Sequence, residues 1–211
     1  MRRCTRRRLL KASAPALAMA AGCSAISPGS NPPTSSDASP TPADGWYIRP
    51  DTDPATVPQP LECPDDDFIR APSHSQTIQW GNTGALTLRV SSLTASTGDE
   101  IHITLTNTAS EPVDTGNRRK FTLELYTTAG WQPVRGTTHE LSLMYTDEAV
   151  RHSSGEGFLW NVTLTEDWIT YLGKDLEVCP ALVSGRYRFV YWGLPQTEQS
   201  LAVAFDFQST L

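Results

Sequence analysis

Lysine is nearly missing from this chain beyond its first residues: only Lys120 and Lys174 follow Cys23. Of the 17 basic residues, six precede Cys23 with no acid among them, which leaves eleven against 23 acidic residues, a net −12. A surface so poor in cations excludes nucleic acid as a partner, because phosphate binding is driven by clustered Lys and Arg. Also missing is any apolar run of about 18–20 residues, so no helix is expected to span a bilayer. No H-E-x-x-H helix, G-x-S-x-G elbow or EF-hand loop occurs, which removes the common routes to metalloprotease, serine hydrolase and calcium chemistry. Helical periodicity is confined to one short stretch, 165–172.

What is present begins with an address. The first residues, MRRCTRRRLLKASAPALAMAAGC, have a basic start, a short apolar middle and small residues before a cysteine. That is the plan of a secretory signal. Thr5-Arg6-Arg7-Arg8-Leu9-Leu10-Lys11 resembles a twin-arginine export motif, with Arg6 and Arg7 as the pair that is read. Ala20-Ala21-Gly22-Cys23 resembles a lipobox, with Cys23 as the lipid acceptor and Ala20 where Leu is commoner. Residues 1–22 are therefore expected to be a signal peptide and residues 23–44, rich in Ser, Pro and Thr, a disordered spacer. The expected location is the cell membrane, lipid-anchored, on its extracytoplasmic side.

Residues 45–78 read as an irregular arm, with prolines at 50, 54, 58, 60, 64 and 72. Trp46, Tyr47, Leu61 and Phe68 give that arm something to pack. From 79 to 211 the pattern changes. Segments 86–91, 100–107, 120–127, 158–165, 186–192 and 200–207 alternate apolar and polar with period two, as half-buried strands do. Each should show one apolar and one wet face, which calls for two antiparallel sheets packed face to face, an all-β sandwich. Leu182-Val183-Ser184-Gly185-Arg186-Tyr187 has the spacing of a tyrosine corner, the device that fixes the sheet crossing in immunoglobulin-like sandwiches. Together with Ile103–Thr108, Phe121–Tyr126, Gly130–Val134 and Ala204–Phe207, it resembles a bacterial immunoglobulin-like domain family found in small exported lipoproteins and at cell surfaces. The resemblance implies an immunoglobulin-like fold and an envelope location and brings no catalytic residue with it; 135–157 falls outside the matching patches.

With Cys4 in the signal and Cys23 lipidated, Cys63 and Cys179 remain, and an isolated pair in an oxidising compartment is most simply a disulfide. It would staple the arm to the sandwich. The histidines His74, His102, His139 and His152 form no recognised ligand spacing, although His139-Glu140 and His152 flank Asp147 and Glu148. Asp65-Asp66-Asp67 reads as a solvated charge run. Trp160, Trp168 and Trp192 could form a sugar-stacking platform, but alternation places Trp160 in the core. Asn161-Val162-Thr163 is a glycosylation sequon on an outward strand position. No metal, cofactor or catalytic set is expected. The reading is a noncatalytic binding or scaffold module, tethered to the membrane through lipid, with a protein or glycan partner. The alternative is a β-sandwich protease inhibitor presenting a loop from 135–157.

Overall fold

The computed structural model describes residues 46–73, 77–139, 148–171, 176–194 and 198–210; the signal, Cys23 and the spacer lie outside them. Strands are β1 (Ile69–Arg70), β2 (Thr77–Trp80), β3 (Asn82–Thr83), β4 (Leu86–Val90) and β5 (Thr94–Ser96). There follow β6 (Glu100–Asn107), β7 (Val113–Thr115), β8 (Phe121–Thr127), β9 (Gly130–Pro133) and β10 (Arg135–Thr137). The chain closes with β11 (Val150–His152), β12 (Gly157–Thr163), helix α1 (Glu166–Tyr171), β13 (Glu177–Val178), β14 (Gly185–Tyr191) and β15 (Gln199–Gln208). All six expected strands are present within a residue or two.

One sheet runs β12-β6-β4-β3; the other runs β2-β15-β14-β8-β9 and also holds β5 against β15. Alternating residues of each sheet meet in one core. Ile101, Ile103, Leu105, Leu88 and Trp160 face Phe121, Leu123, Tyr187, Phe189, Val203 and Phe205, all buried. Phe121 stacks on Phe189 with centroids 4.7 Å apart, and Trp160 closes on Phe189 at 5.0 Å. The Trp160 indole donates to the Arg118 carbonyl at 2.9 Å, so its one polar atom is satisfied in the core. The tyrosine corner is closed: the Tyr187 hydroxyl donates to the Val183 carbonyl at 2.7 Å. The fold is an immunoglobulin-like β-sandwich.

The expectation of one wet face per strand fails for the larger sheet. Every residue of β14 is buried, as are six of the seven in β8 and seven of the ten in β15. The cover is the arm, which is less irregular than its prolines imply. Tyr47 exchanges two backbone hydrogen bonds with Val90 of β4, at 2.8 and 2.9 Å, while the Ile48 carbonyl accepts from Ala204 of β15 at 2.8 Å. Two consecutive arm residues thus join the edges of both sheets. Ile48 fills the gap on the β15 edge between β2, parallel to Gln199–Ala202, and β5, parallel to Asp206–Gln208. Gly81 makes room for it: φ is +68°, and a Cβ there would lie 2.6 Å from the Ile48 side chain.

The arm then passes Arg186, whose Nη1 donates to the Thr52 carbonyl at 2.5 Å, and Pro58, whose carbonyl accepts from Thr128 N–H at 2.9 Å. It returns along β9 and β10, with β1 antiparallel to β10. Gly136 permits that pairing, since a Cβ would come within 2.4 Å of the Ile69 carbonyl and the Phe68 ring. Cys63 and Cys179 are joined as the sequence indicated, with Cα atoms 5.4 Å apart. Arg70 seals the staple by donating to the carbonyls of Leu61, Pro133 and Cys179 at 2.8–3.0 Å.

The Tyr187→Phe variant leaves the Val183 carbonyl without this donor. It should destabilise the fold by about 1–3 kcal/mol, read as a lower urea midpoint with an unchanged slope.

Candidate functional site

On the outward face of the larger sheet, register brings together side chains far apart in sequence. Trp80 sits opposite Ala202, Arg188 opposite both Ala204 and Glu124, and Glu124 opposite Pro133. Alternation puts Trp131 on this same face. Ala202 and Ala204 make a low floor, and the two indoles lean over it until their centroids are 6.2 Å apart, tilted by 54°. Tyr126 continues the row, 5.1 Å from Trp131. Both tryptophans carry a guanidinium on one face, Arg49 over Trp80 at 5.0 Å and Arg188 over Trp131 at 4.5 Å.

Between the rings and the arm lies a cleft of about 310 Å³ lined by Arg49, Pro50, Asp51, Thr52, Asp53, Trp80, Trp131, Arg186 and Ala204. Its polar groups divide by use. Arg186 is consumed: it donates to both Asp206 carboxylate oxygens at 2.8 and 3.0 Å and holds Thr52. Arg188 is paired through Nε, at 2.6 Å, and Nη2 with Glu124, whose other oxygen accepts from the Ser73 hydroxyl at 2.9 Å. Glu124 is fully buried, and burial pushes the Arg188 pKa down against the pull of that carboxylate. Asp51 and Asp53, by contrast, are exposed at the rim. A smaller hollow of about 240 Å³ lies by Thr97, Leu164, Glu166, Leu182 and Phe207, where Glu166 is already engaged with the Leu182 N–H at 3.2 Å.

The structure does not bring the sequence-nominated rings together as a platform: Trp160 is fully buried, while Trp168 packs against the core beside Phe121. Trp192 is half-buried with the Lys120 ammonium 5.5 Å from its ring. Asn161 is exposed on β12, as alternation indicated, and its Oδ1 meets His102 Nδ1 at 3.1 Å. His74, Glu140 and Asp147 fall outside the described residues, as do residues 140–147 of the 135–157 stretch. Among the described residues no three His, Cys, Asp or Glu side chains gather as a metal site. In Asp65-Asp66-Asp67 the Asp67 N–H is turned back onto the Asp65 carboxylate at 2.9 Å, a local turn. Sequence reasoning missed Trp80 and Arg49 altogether. The available signal was Ile78 and Trp80 alternating just before Gly81, but their partner strand lies near the far end of the chain.

No family model and no curated protein matches the chain. Solved structures show partial likeness. A mutant β-glucosidase from Listeria innocua aligns at 18% identity and TM-score 0.30, over 58% of this chain and 16% of that one. The sulfur carrier protein SoxY from Chlorobium limicola aligns at 9% identity and TM-score 0.25, over 65% and 87%. VCBP3 domain 1 from Branchiostoma floridae aligns at 11% identity and TM-score 0.26, over 61% and 98%. The chain thus spans about a sixth of the glucosidase, and none of these likenesses bears on ligand or chemistry.

His152 is the one described histidine locked inside the protein. It lies on β11 against β7, with Phe158 edge-on at 4.6 Å. The Thr115 hydroxyl gives its hydrogen to the Gly116 carbonyl, so the neutral ring donates Nε2–H to Thr115 at 2.9 Å. Burial lowers the His152 pKa, outweighing the opposing pull of Glu156 and Asp114. The unfolded chain therefore binds the proton more readily than the folded one. The stability this contributes is present above pH about 6.5 and is lost as pH falls toward the folded value. Melting temperature should drop between pH 7.5 and 5 in the wild type, and this slope should flatten in His152→Gln.

Proposed function

We propose that this chain is an exported, lipid-anchored, noncatalytic binding module, held off the extracytoplasmic face of the membrane by residues 23–44. The observation that carries binding is the cleft between Trp80, Trp131 and residues 49–53: half-buried aromatic rings beside exposed polar groups, on an otherwise covered sheet. Small-ligand sites have this make-up of apolar walls with a few placed polar groups. The charged groups beneath it are committed to packing, Arg186 to Asp206 and Arg188 to Glu124. They hold the scaffold and are spent as acids or bases. The Cys63–Cys179 disulfide suits an oxidising compartment and so supports export. The Arg6-Arg7 pair and the cysteine at position 23 support the route and the anchor.

Fractionation of cells expressing the full chain tests this. The wild type should enter the detergent phase, and Cys23→Ser should move it to the aqueous phase or leave an uncleaved precursor. Arg6→Lys with Arg7→Lys should keep the precursor in the cytoplasm, because the fork of guanidinium donors is not reproduced by ammonium groups. Unchanged partitioning and intact mass for Cys23→Ser would refute the anchor, and normal export of the double variant would refute the twin-arginine route.

A further inference from the structure

Resting on the binding-module reading, we infer that the cleft of Trp80, Trp131 and the 49–53 segment is a site for a neutral saccharide. Its volume, about 310 Å³, is at the small end of the roughly 300–1,000 Å³ typical of small-molecule sites. The walls are two indoles, with Tyr126 behind Trp131. Such rings offer large rigid faces to the C–H surface of a sugar, at low entropic cost. The rim supplies the hydrogen bonds that a sugar's hydroxyls need. Asp51 and Asp53 are exposed and enter no hydrogen bond or ion pair among the described residues, and the exposed Thr52 stands between them.

Charge decides between ligand classes. An anion finds little here, because the Arg186 charge is already met by the Asp206 carboxylate, with a third N–H on the Thr52 carbonyl, and Arg49 alone opposes two free carboxylates. A cation would normally seek paired tryptophans beside acids. In this cleft, however, each indole already bears a guanidinium of the protein's own, Arg49 on Trp80 and Arg188 on Trp131. A second positive charge would meet those first. A long acyl chain is equally ill served, since the hollow is short and lined in part by Asp51, Thr52, Asp53 and Arg186. What remains is an uncharged ligand with one apolar face and many hydroxyls. The scaffold is fitted to hold it: the arm segment that forms the rim is tied at Ile48 to β15 and at Thr52 to Arg186, so the backbone that carries the polar groups is held beside the rings.

The purified full-length chain should be tested on immobilised neutral oligosaccharides (glucans, mannans, galactans and N-acetylglucosamine oligomers). Sulfated and sialylated glycans and free choline are run in parallel, with tryptophan fluorescence as the solution readout. Saturable binding to at least one neutral oligosaccharide is expected. Trp131→Ala should weaken it by about tenfold or more. Asp51→Asn with Asp53→Asn should weaken it by about threefold or more. Leu159→Ser, on the other sheet, should leave it unchanged. The aspartate pair is on the surface, so its result stands even if the tryptophan variant fails to fold. Binding confined to anionic glycans or choline, no binding to any neutral oligosaccharide, or full binding by the Asp51→Asn, Asp53→Asn protein would overturn the inference. Because binding is read on purified protein, it is independent of the anchor: Cys23→Ser protein should bind equally well, whichever membrane fraction it occupies.

Discussion

Arg188 and Glu124 form a buried ion pair on a sheet face that would be open to water if the sandwich ended with its strands. Taking two charges out of water costs several kcal/mol per ion, and only close pairing with further hydrogen bonds offsets it. Here Glu124 is wholly buried, doubly contacted by the Arg188 guanidinium and bonded by the Ser73 hydroxyl. Ser73 belongs to the arm. Nearby, Arg186 ties Asp206 to the Thr52 carbonyl, again in the arm. The central strands therefore carry charges that need the arm, and the arm, poor in strand structure, needs those charges, Arg70 and the disulfide to stay in place. Most of the protein's unusual features follow from this mutual requirement.

The sandwich itself was legible because its signals are local. Alternation in Ile101-His102-Ile103-Thr104-Leu105 is fixed by the strand's own pleat, and the tyrosine corner is set within five residues, Val183 to Tyr187. Cys63 and Cys179 are the pair left once Cys4 is read as part of a signal and Cys23 as a lipid acceptor. What local pattern cannot show is which neighbour a strand meets. The parallel pairing of β2 and β5 with β15, and the insertion of Ile48 between them, join segments from opposite ends of the domain. The wet side of β14 reads Arg186, Arg188, and nothing in that alternation tells a solvated arginine from one sealed beneath an arm. Trp80 and Trp131 escaped for the same reason, since each is unremarkable in its own strand and the two meet only across the sheet.

The same arrangement links stability to the proposed binding role. Residues 49–53 close the edge of the sheet and at the same time form the polar rim of the cleft. The guanidinium groups that lie over Trp80 and Trp131 are those on which the proposed preference for an uncharged ligand rests. An arm released from the sheet would take the rim with it, so the Cys63–Cys179 bond bears on the protein's stability and on the proposed site alike.

The central claim is that the arm is an integral cover, held by the Cys63–Cys179 bond, and not a continuation of the spacer. Amide hydrogen exchange before and after reduction tests it directly. In the oxidised protein the amides of Leu61 and Ala71, bonded to the Gln132 side chain and the Arg135 carbonyl, should be protected. On reduction they should exchange about tenfold faster or more, while Ile103, Leu105, Phe189 and Val203 in the core keep their protection. Arm amides that exchange like free chain in the oxidised protein, or that are indifferent to reduction, would contradict the account.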